Sequence, residues 1–243
     1  LFYRAQGYDY VSSVGYATSS NGLTIDQRFD KPIFKPTQPF ESTVAPGQLN
    51  MDFVSAGCGG CADPRVTKID DRIYMTYVAF NGYSEARIAL TSIALNDFLN
   101  HNWLWTHPIL ISPPGVVDKS ACILPEKING KYAVMHRILP GIQVLFFDSF
   151  EQLTMDFWRE YLVKLKDFVV LEPKLWFESG YIGGGCTPIE VDDGWLLIYH
   201  AVEKAGGGDN DWIYRAAAAL LDKDDPRKVI GVLKEPLFEP QER

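Results

Sequence analysis

The sequence predicts an all-β fold of the β-propeller type, and three features of the 243-residue chain indicate it. One unit recurs along the chain: a turn with Asp or Asn, a short apolar strand, a polar loop and a second strand rich in small and β-branched residues. The turns at Asp71, Asn129 and Asp193 lie about sixty residues apart, the length of one four-stranded sheet with its connections. Pro and Gly interrupt most windows that a helix would need.

The recurring unit is clearest in three copies. Their strand pairs are 70–77 with 86–91, 129–136 with 143–147, and 193–200 with 213–218, and a fourth copy begins at Leu1 with its second strand at 13–18. Such sheets cannot bury both faces alone, and radial packing around an axis covers them while leaving only short edges. A β-sandwich or two stacked barrels is the alternative, which the repeat disfavours. A helical pattern of a turn or two occurs within 149–165.

Composition allows one large globular domain or two small ones, since 47% of the residues are hydrophobic and 22% are charged. The repeat favours one β-propeller, so we expect residues 1–243 to form a single domain. Acidic residues outnumber basic ones by 31 to 23 without any Lys/Arg run, which argues against nucleic acid and anionic membranes as partners. No apolar stretch approaches the length of a membrane-spanning helix. A neutral or small ligand is the expectation.

The four cysteines predict ordinary buried thiols and no metal. They are Cys58, Cys61, Cys122 and Cys186, with one C-x-x-C pair among them. A structural zinc site would need a second close pair, whereas Cys122 and Cys186 lie in separate segments. We expect no cofactor.

Candidate site residues lie near predicted strand ends in successive repeats, as a propeller site assembled from converging loops requires. Asp63 precedes the first hairpin turn, and 136–137 and 199–200 are each predicted to end a strand. An acid grouped with cations suits attack of an anion on a sugar while a carboxylic acid assists the leaving oxygen. Each residue also has a structural interpretation: Asp before Pro in a turn, Arg paired between blades, His buried in the core.

The run Gly183–Gly185 has two interpretations. Glycine lets the backbone approach another group closely, which fits a pocket wall, and it equally fits a strained entry into a strand. No helical pattern follows the run, so it does not read as a nucleotide-binding loop.

Six segments resemble, in order, the motif series of glycoside hydrolase family 130: 62–70 (ADPRVTKID), 118–121 (DKSA), 124–137 (LPEKINGKYAVMHR), 182–185 (IGGG), 194–200 (GWLLIYH) and 218–222 (AALLD). The resemblance covers almost the whole chain. It implies a five-bladed β-propeller that cleaves β-mannosidic bonds with inversion, by phosphate in most studied members and by water in some.

The resemblance also implies residue roles. Asp63 matches the catalytic acid, which is thought to protonate the glycosidic oxygen through the 3-hydroxyl of the sugar in a single displacement. Positions that hold phosphate match Lys119, Arg137 and His200, whose charge and donors suit an anion. Residues expected to contact sugar or shape the pocket are Arg4, Arg65, Tyr181 and Tyr214.

Two departures from the family pattern keep alternatives open. Phosphorylases usually carry a lysine at the place of Tyr181, and relatives commonly carry an acidic residue at the place of Ala62. The leading hypothesis is phosphorolysis of a short β-mannoside to mannose 1-phosphate, with inorganic phosphate as co-substrate. Hydrolysis by an inverting β-mannosidase and non-catalytic mannoside binding are the alternatives. The linkage, β-1,2 or β-1,4, and the second sugar stay open.

The chain begins within a strand pattern and stops at 236–240, where members of the family continue into a closing blade. We therefore expect terminal segments to be missing. A phosphorylase would be cytoplasmic, and a hydrolase periplasmic or secreted. Self-association into a homo-oligomer is compatible with the sequence but not specified by it.

Overall fold

The computed structural model describes residues 1–41, 59–206 and 211–240, which fold into short, mostly antiparallel strands and a few short helices. The chain divides into two compact units, Leu1–Val117 and Asp118–Arg243. The predicted all-β class is confirmed. Cys58 lies outside the described residues.

The first unit contains two antiparallel groups of strands. One is β1 (Phe2–Gln6), β2 (Ser12–Thr18) and β3 (Gln27–Arg28); the other is β4 (Gly60–Ile69), β5 (Arg72–Phe80), β6 (Arg87–Ala94) and β7 (Ile109–Leu110). A single parallel pairing, Ser12 with Gly60, joins the groups. A short helix that the sequence analysis did not predict, α1 (Leu95–Leu99), follows β6. Val14, Phe34, Met75 and Tyr77 lie in the core of this unit.

The second unit contains two sheets. The first has the order β11 (Val169–Leu171), β10 (Ile142–Phe147), β9 (Tyr132–Arg137), β8 (Lys119–Ile123). The second has the order β12 (Tyr181–Gly184), β14 (Gly194–Lys204), β15 (Trp212–Leu221), β16 (Val229–Val232), with β13 (Ile189–Val191) also paired to β14. Residues of both sheets share one hydrophobic core.

Helix α2 (Met155–Val163) confirms the helical pattern predicted within 149–165. Thr154 caps its beginning, because the side chain accepts a hydrogen bond of 3.3 Å from the backbone N–H of Phe157. Trp158 and Tyr161 are buried on its inner face.

The sequence repeat is visible in the strand register. The hairpins that bring β5, β9 and β14 back against the preceding strand close at the pairs Ile69–Arg72, Ile128–Lys131 and Val191–Gly194. At Asn129 and Gly130 the backbone has φ of 50° and 80°, as a two-residue hairpin turn of type I′ requires. Six residues beyond the closing pair, the three strands carry Val78, Arg137 and His200.

The first strand of two of these hairpins contains the same irregularity. Between Ala62 and Arg65, β4 advances three residues while its partner advances two, and between Lys119 and Cys122 β8 does the same. Each segment therefore holds one extra residue, a β-bulge. A positive φ occurs in both, 51° at Asp63 and 58° at Ser120. Asp63 thus lies in a bulge inside a strand, and the interpretation as a turn residue was wrong.

One predicted strand end is confirmed and one is wrong. Residues 136–137 end β9. Residues 199–200 lie in the middle of β14, because β15 continues to pair with it as far as Lys204 opposite Trp212. The sequence pattern marked where polar side chains appear, whereas the end of this strand depends on the length of its partner.

The thiol prediction holds for two of the three described cysteines. Cys61 and Cys122 are buried, whereas Cys186 is exposed because it lies in the loop that follows β12. Among the residues that the structure describes, no group of three His, Cys, Asp or Glu side chains is placed to hold a metal ion. Within the same residues, no helix is both long and apolar enough to cross a bilayer.

Candidate active site

Four of the predicted site residues come together in the second unit. The guanidinium of Arg137 lies over the ring of Tyr181, 4.8 Å from its centroid. The Tyr181 ring meets the His200 ring edge to face, with centroids 6.3 Å apart, and its hydroxyl lies 2.5 Å from the hydroxyl of Tyr214. We call Arg137, Tyr181, His200 and Tyr214 the cation–aromatic cluster.

Gly183 forms one wall of this cluster. It pairs with His200 across β12 and β14, and a Cβ at position 183 would lie 2.7 Å from Nε2 of His200 and 3.1 Å from Cδ of Arg137. Side-chain carbons do not normally approach that closely. Of the two interpretations of the glycine run, the structure favours close approach, because the absent side chain makes room for both site residues.

Arg137 is the most deeply buried member of the cluster, with only 7% of its surface exposed. Its Nε–H finds no hydrogen-bond partner among the described residues. Buried donors are normally satisfied, and a guanidinium offers its N–H groups in a planar fork that matches two oxygens of a phosphate or carboxylate. The Tyr181 face stabilises the positive charge, but it cannot accept a hydrogen bond in the plane of the guanidinium.

Lys119 adds a second cation on the same face as Arg137. The two residues lie directly opposite each other on β8 and β9, where side chains of paired residues point to the same side of the sheet. Like charges at directly opposed positions destabilise a sheet. The pairing therefore places two cations side by side on one face, an arrangement that suits the binding of an anion.

The Tyr214 hydroxyl of the cluster stays protonated near neutral pH. Burial, followed by the hydrogen bond and the charge of Tyr181, raises the pKa of Tyr214 to about 12, although the Arg137 guanidinium acts in the opposite direction. Tyr214 is nevertheless 50% exposed, so a ligand can reach its hydroxyl. The Tyr214 hydroxyl can therefore donate or accept a hydrogen bond at the rim of the cluster.

The other predicted site residues lie in the first unit. Asp63 is exposed at the bulge of β4, with its side chain set by the positive φ of 51°. Arg65 lies two positions further on, opposite Thr76. Arg4 on β1 donates from Nε to the hydroxyl of buried Ser12 at 2.8 Å, and Ser12 in turn pairs with the first residue of β4.

Some residues behind the cluster had no assigned role in the sequence analysis. His136 and Tyr199, which directly precede Arg137 and His200, are buried and hydrogen-bonded to the carboxylates of Asp118 and Glu178. For His136 this confirms the core interpretation. Of these two carboxylates only Glu178 had a signal in the sequence, since the pattern Pro-x-x-x-Phe-Glu-Ser at 173–179 also occurs at 36–42, where its glutamate is Glu41.

Repeated antiparallel sheets, whose hairpins carry matching residues at matching strand positions, define the chain as a protein of the β-propeller class. The particular family follows from comparison with known proteins. The family described as β-1,4-mannooligosaccharide phosphorylase, glycoside hydrolase family 130, matches residues 1–243. The chain belongs to glycoside hydrolase family 130.

Curated relatives agree with that assignment. A β-1,2-mannobiose phosphorylase of Thermoanaerobacter sp. (strain X514) is 36% identical over 99% of this chain and 71% of its own length. A 1,2-β-oligomannan phosphorylase of the same strain is 37% identical over 96% of this chain and 65% of its own length. The chain thus spans about two thirds of the length of each.

Solved structures support the fold. The β-1,2-mannobiose phosphorylase of Listeria innocua, in complex with β-1,2-mannobiose, superposes with a TM-score of 0.65 at 24% identity. The match covers 95% of this chain and 55% of that protein. The predicted β-propeller fold is confirmed.

Proposed function

We propose that this chain is the catalytic part of a family 130 enzyme that cleaves short β-mannosides by phosphorolysis and releases mannose 1-phosphate with inversion. The observation that carries the proposal is the buried Arg137, whose Nε–H has no hydrogen-bond partner among the described residues and whose neighbour across the sheet is Lys119. A site that gathers two cations and a histidine around glycine backbone suits a small dianion.

In the proposed reaction each unit contributes a separate function. In the second unit, Lys119, Arg137 and His200 hold inorganic phosphate as co-substrate. In the first unit, Asp63 supplies the proton. A phosphate oxygen bonds to the anomeric carbon as the glycosidic C–O bond breaks, the bonding electrons leave with the sugar oxygen, and that oxygen receives the proton that originates on Asp63.

Sugar contacts are assigned to the remaining predicted residues, which are Arg4, Arg65, Tyr181 and Tyr214. Tyrosine faces and hydroxyls suit a pyranose ring, which has both apolar C–H faces and hydroxyl groups.

The names of the two Thermoanaerobacter relatives support a β-1,2 linkage. The description of the family itself supports β-1,4. We take β-1,2-mannobiose as the first substrate to test, and β-1,4-mannobiose as the second.

We further propose that residues 1–243 act as one catalytic domain without a resident cofactor. We also propose that the enzyme works in the cytoplasm, where its phosphorylated product is retained.

Hydrolysis is the second candidate function. It is favoured by Tyr181, which places an aromatic face and not a charge against Arg137.

The test is an incubation of the protein with each mannobiose, with and without inorganic phosphate, followed by analysis of the products. Phosphorolysis predicts mannose 1-phosphate and one mannose per bond, and no reaction without phosphate. Free mannose alone, formed at the same rate with and without phosphate, would establish hydrolysis. Binding of mannobiose without any product would establish a non-catalytic protein.

A further inference from the structure

Three buried carboxylates accept hydrogen bonds from the same position in each of the three hairpins. Five residues beyond the closing pair, β5, β9 and β14 carry Tyr77, His136 and Tyr199. All three side chains are buried, and each is bonded to a carboxylate that is also buried: Glu41, Asp118 and Glu178, at most 2% exposed. We call each ring with its carboxylate a latch.

Two latches have the same detailed geometry. In the second unit, Tyr199 donates its hydroxyl proton to Oε1 of Glu178 at 2.7 Å, while Oε2 accepts from the backbone N–H groups of residues 174 and 175 at 2.7 and 2.9 Å. In the first unit, Tyr77 donates to Oε1 of Glu41, and Oε2 accepts from the N–H groups of residues 37 and 38 at 2.7 and 2.9 Å. The match shows a repeated device and not two chance contacts.

The third latch uses histidine. Nδ1 of His136 lies 2.9 Å from an oxygen of Asp118, and Nε2 lies 2.7 Å from the hydroxyl of Tyr161 on α2. A proton on Nδ1 suits the bond to the Asp118 carboxylate, and in that neutral tautomer Nε2 accepts from the Tyr161 hydroxyl, which also lies 3.4 Å from the carbonyl oxygen of Val144. The chain of bonds ties β9 to the beginning of β8 and to α2.

The position after each latch differs between the units. It is Val78 in the first unit, and Arg137 and His200 in the second. Side chains alternate along a strand, so a latch points to one face of the sheet and the next residue to the other. In the second unit, His136 and Tyr199 therefore lie on one face of their strands, and the proposed phosphate ligands Arg137 and His200 lie on the other.

We infer that the two latches of the second unit, Asp118–His136 and Glu178–Tyr199, are positioning groups, and that Tyr161 supports the first of them. They fix the backbone of β9 and β14 so that Arg137 and His200 both face the phosphate. The inference rests on the proposed function. Both side chains lie close to Gly183, where an added Cβ would be 2.7 Å from Nε2 of His200 and 3.1 Å from Cδ of Arg137, so a small shift of either strand would change how the two side chains meet. A misplacement of about 1 Å is enough to weaken a site that depends on several converging groups.

Two conservative variants test the inference, Tyr161→Phe and Tyr199→Phe. Each removes one hydroxyl and keeps the ring, so packing is preserved. We expect the KM for inorganic phosphate to rise about fivefold in each, because the hydroxyl no longer bonds to its buried partner, with kcat at saturating phosphate within about twofold of the wild type. If Tyr199→Phe does not fold, Glu178→Gln removes the charge of the same latch with the same expected result.

Tyr77→Phe is the matched control, because it breaks the same latch where the next residue is Val78 and not an anion ligand. It should lower the urea midpoint as much as Tyr199→Phe does, yet leave the phosphate KM within about twofold of the wild type. An equal rise of KM in Tyr77→Phe, or an unchanged KM in both Tyr161→Phe and Tyr199→Phe, would overturn the inference.

A direct measurement of phosphate binding distinguishes failure of the proposed function from failure of the positioning role. Inorganic phosphate should raise the thermal midpoint of the wild type and should not raise that of Arg137→Met. No effect of phosphate on the wild type would refute the proposed function and the latches with it. Loss of the effect in Arg137→Met, with full retention in Tyr161→Phe and Tyr199→Phe, would refute only the positioning role.

Discussion

The hairpin β4–β5 of the first unit and the hairpin β8–β9 of the second are built alike and differ in their chemistry. Both have a bulge of one residue in the first strand and a latch five residues beyond the turn in the second. At the bulge, the first hairpin has Asp63 and the second Ser120; one position after the latch, they have Val78 and Arg137. The backbone features repeat, whereas the residues at the bulge and after the latch differ between the two hairpins.

The two environments suit the two proposed tasks. Asp63 is exposed, so its carboxyl can exchange a proton with a sugar hydroxyl or with water. Arg137 is buried behind Tyr181, where low local dielectric strengthens its attraction for an anion. Loss of the acid should therefore affect the chemical step, and loss of the cation should affect the use of phosphate.

The largest effect is expected at the bulge of the first unit. Asp63→Asn keeps the size and tolerates the positive φ, but the amide cannot supply a proton, so kcat should fall about a thousandfold. Asp70→Asn is the control, since Asp70 is also exposed with a φ of 51° but lies at the hairpin turn. Activity close to that of the wild type in Asp63→Asn would remove Asp63 from the mechanism.

The next largest effect is expected when Arg137 of the second unit is replaced by valine, the residue at the equivalent position 78 of the first unit. Arg137→Val should reduce kcat/KM for phosphate about a hundredfold, because a buried charge-assisted contact is lost. Steady-state rates over a range of phosphate concentrations measure it, with Arg159→Ala on the exposed side of α2 as control. An unchanged phosphate dependence would mean that the anion binds elsewhere.

A smaller loss is expected when the wall of the cluster gains one carbon. Gly183→Ala should reduce kcat/KM about tenfold, because the new Cβ would lie 2.7 Å from the His200 ring and force it to move. In the control Gly231→Ala, the added Cβ meets nothing within 4 Å. If both alanine variants behave like the wild type, the close approach at Gly183 has no functional role.

The smallest effect concerns alkaline stability and should be shared by both units. Burial is the largest cause that raises the pKa of Tyr77 and of Tyr199 far above the ordinary value, and Glu41 and Glu178 add to it. Above about pH 10 the unfolded chain loses these protons while the folded chain keeps them, so stability falls as pH rises. The urea midpoint should therefore decrease between about pH 9 and 11 in the wild type.

The double variant Tyr77→Phe, Tyr199→Phe tests whether these two hydroxyls cause the decrease of the urea midpoint with rising pH. It lacks both buried hydroxyls, so its urea midpoint should depend less on pH over the same interval. A slope equal to that of the wild type would assign the alkaline loss of stability to other groups.

Much of the fold was predictable from sequence, because hairpin turns are local. Asp and Asn at 71, 129 and 193 marked all three closing pairs to within two residues. Four of the eight predicted site residues meet in the cation–aromatic cluster, and Lys119 faces Arg137 across the sheet. The repeat indicated 136–137 and 199–200, whereas Lys119, Tyr181 and Tyr214 were identified through the resemblance to family 130.

The remaining features depend on tertiary contacts that no local pattern encodes. The carboxylates of the latches lie 18 to 36 residues from their partners. The middle position of 199–200 in β14 depends on how far β15 extends. The bulge at Asp63 was hidden because Asp-Pro reads as a turn by composition, whereas pairing on both sides keeps it in a strand.

The central claim is that phosphate bound in the second unit attacks the mannoside. The most direct measurement follows β-1,2-mannobiose, the wild type and one equivalent of inorganic phosphate by ³¹P and ¹H NMR in one tube. The account predicts that inorganic phosphate disappears one for one as the α anomer of mannose 1-phosphate and free mannose form, and that Arg137→Val slows this exchange about a hundredfold. Release of two mannose molecules with the phosphate signal unchanged would contradict it.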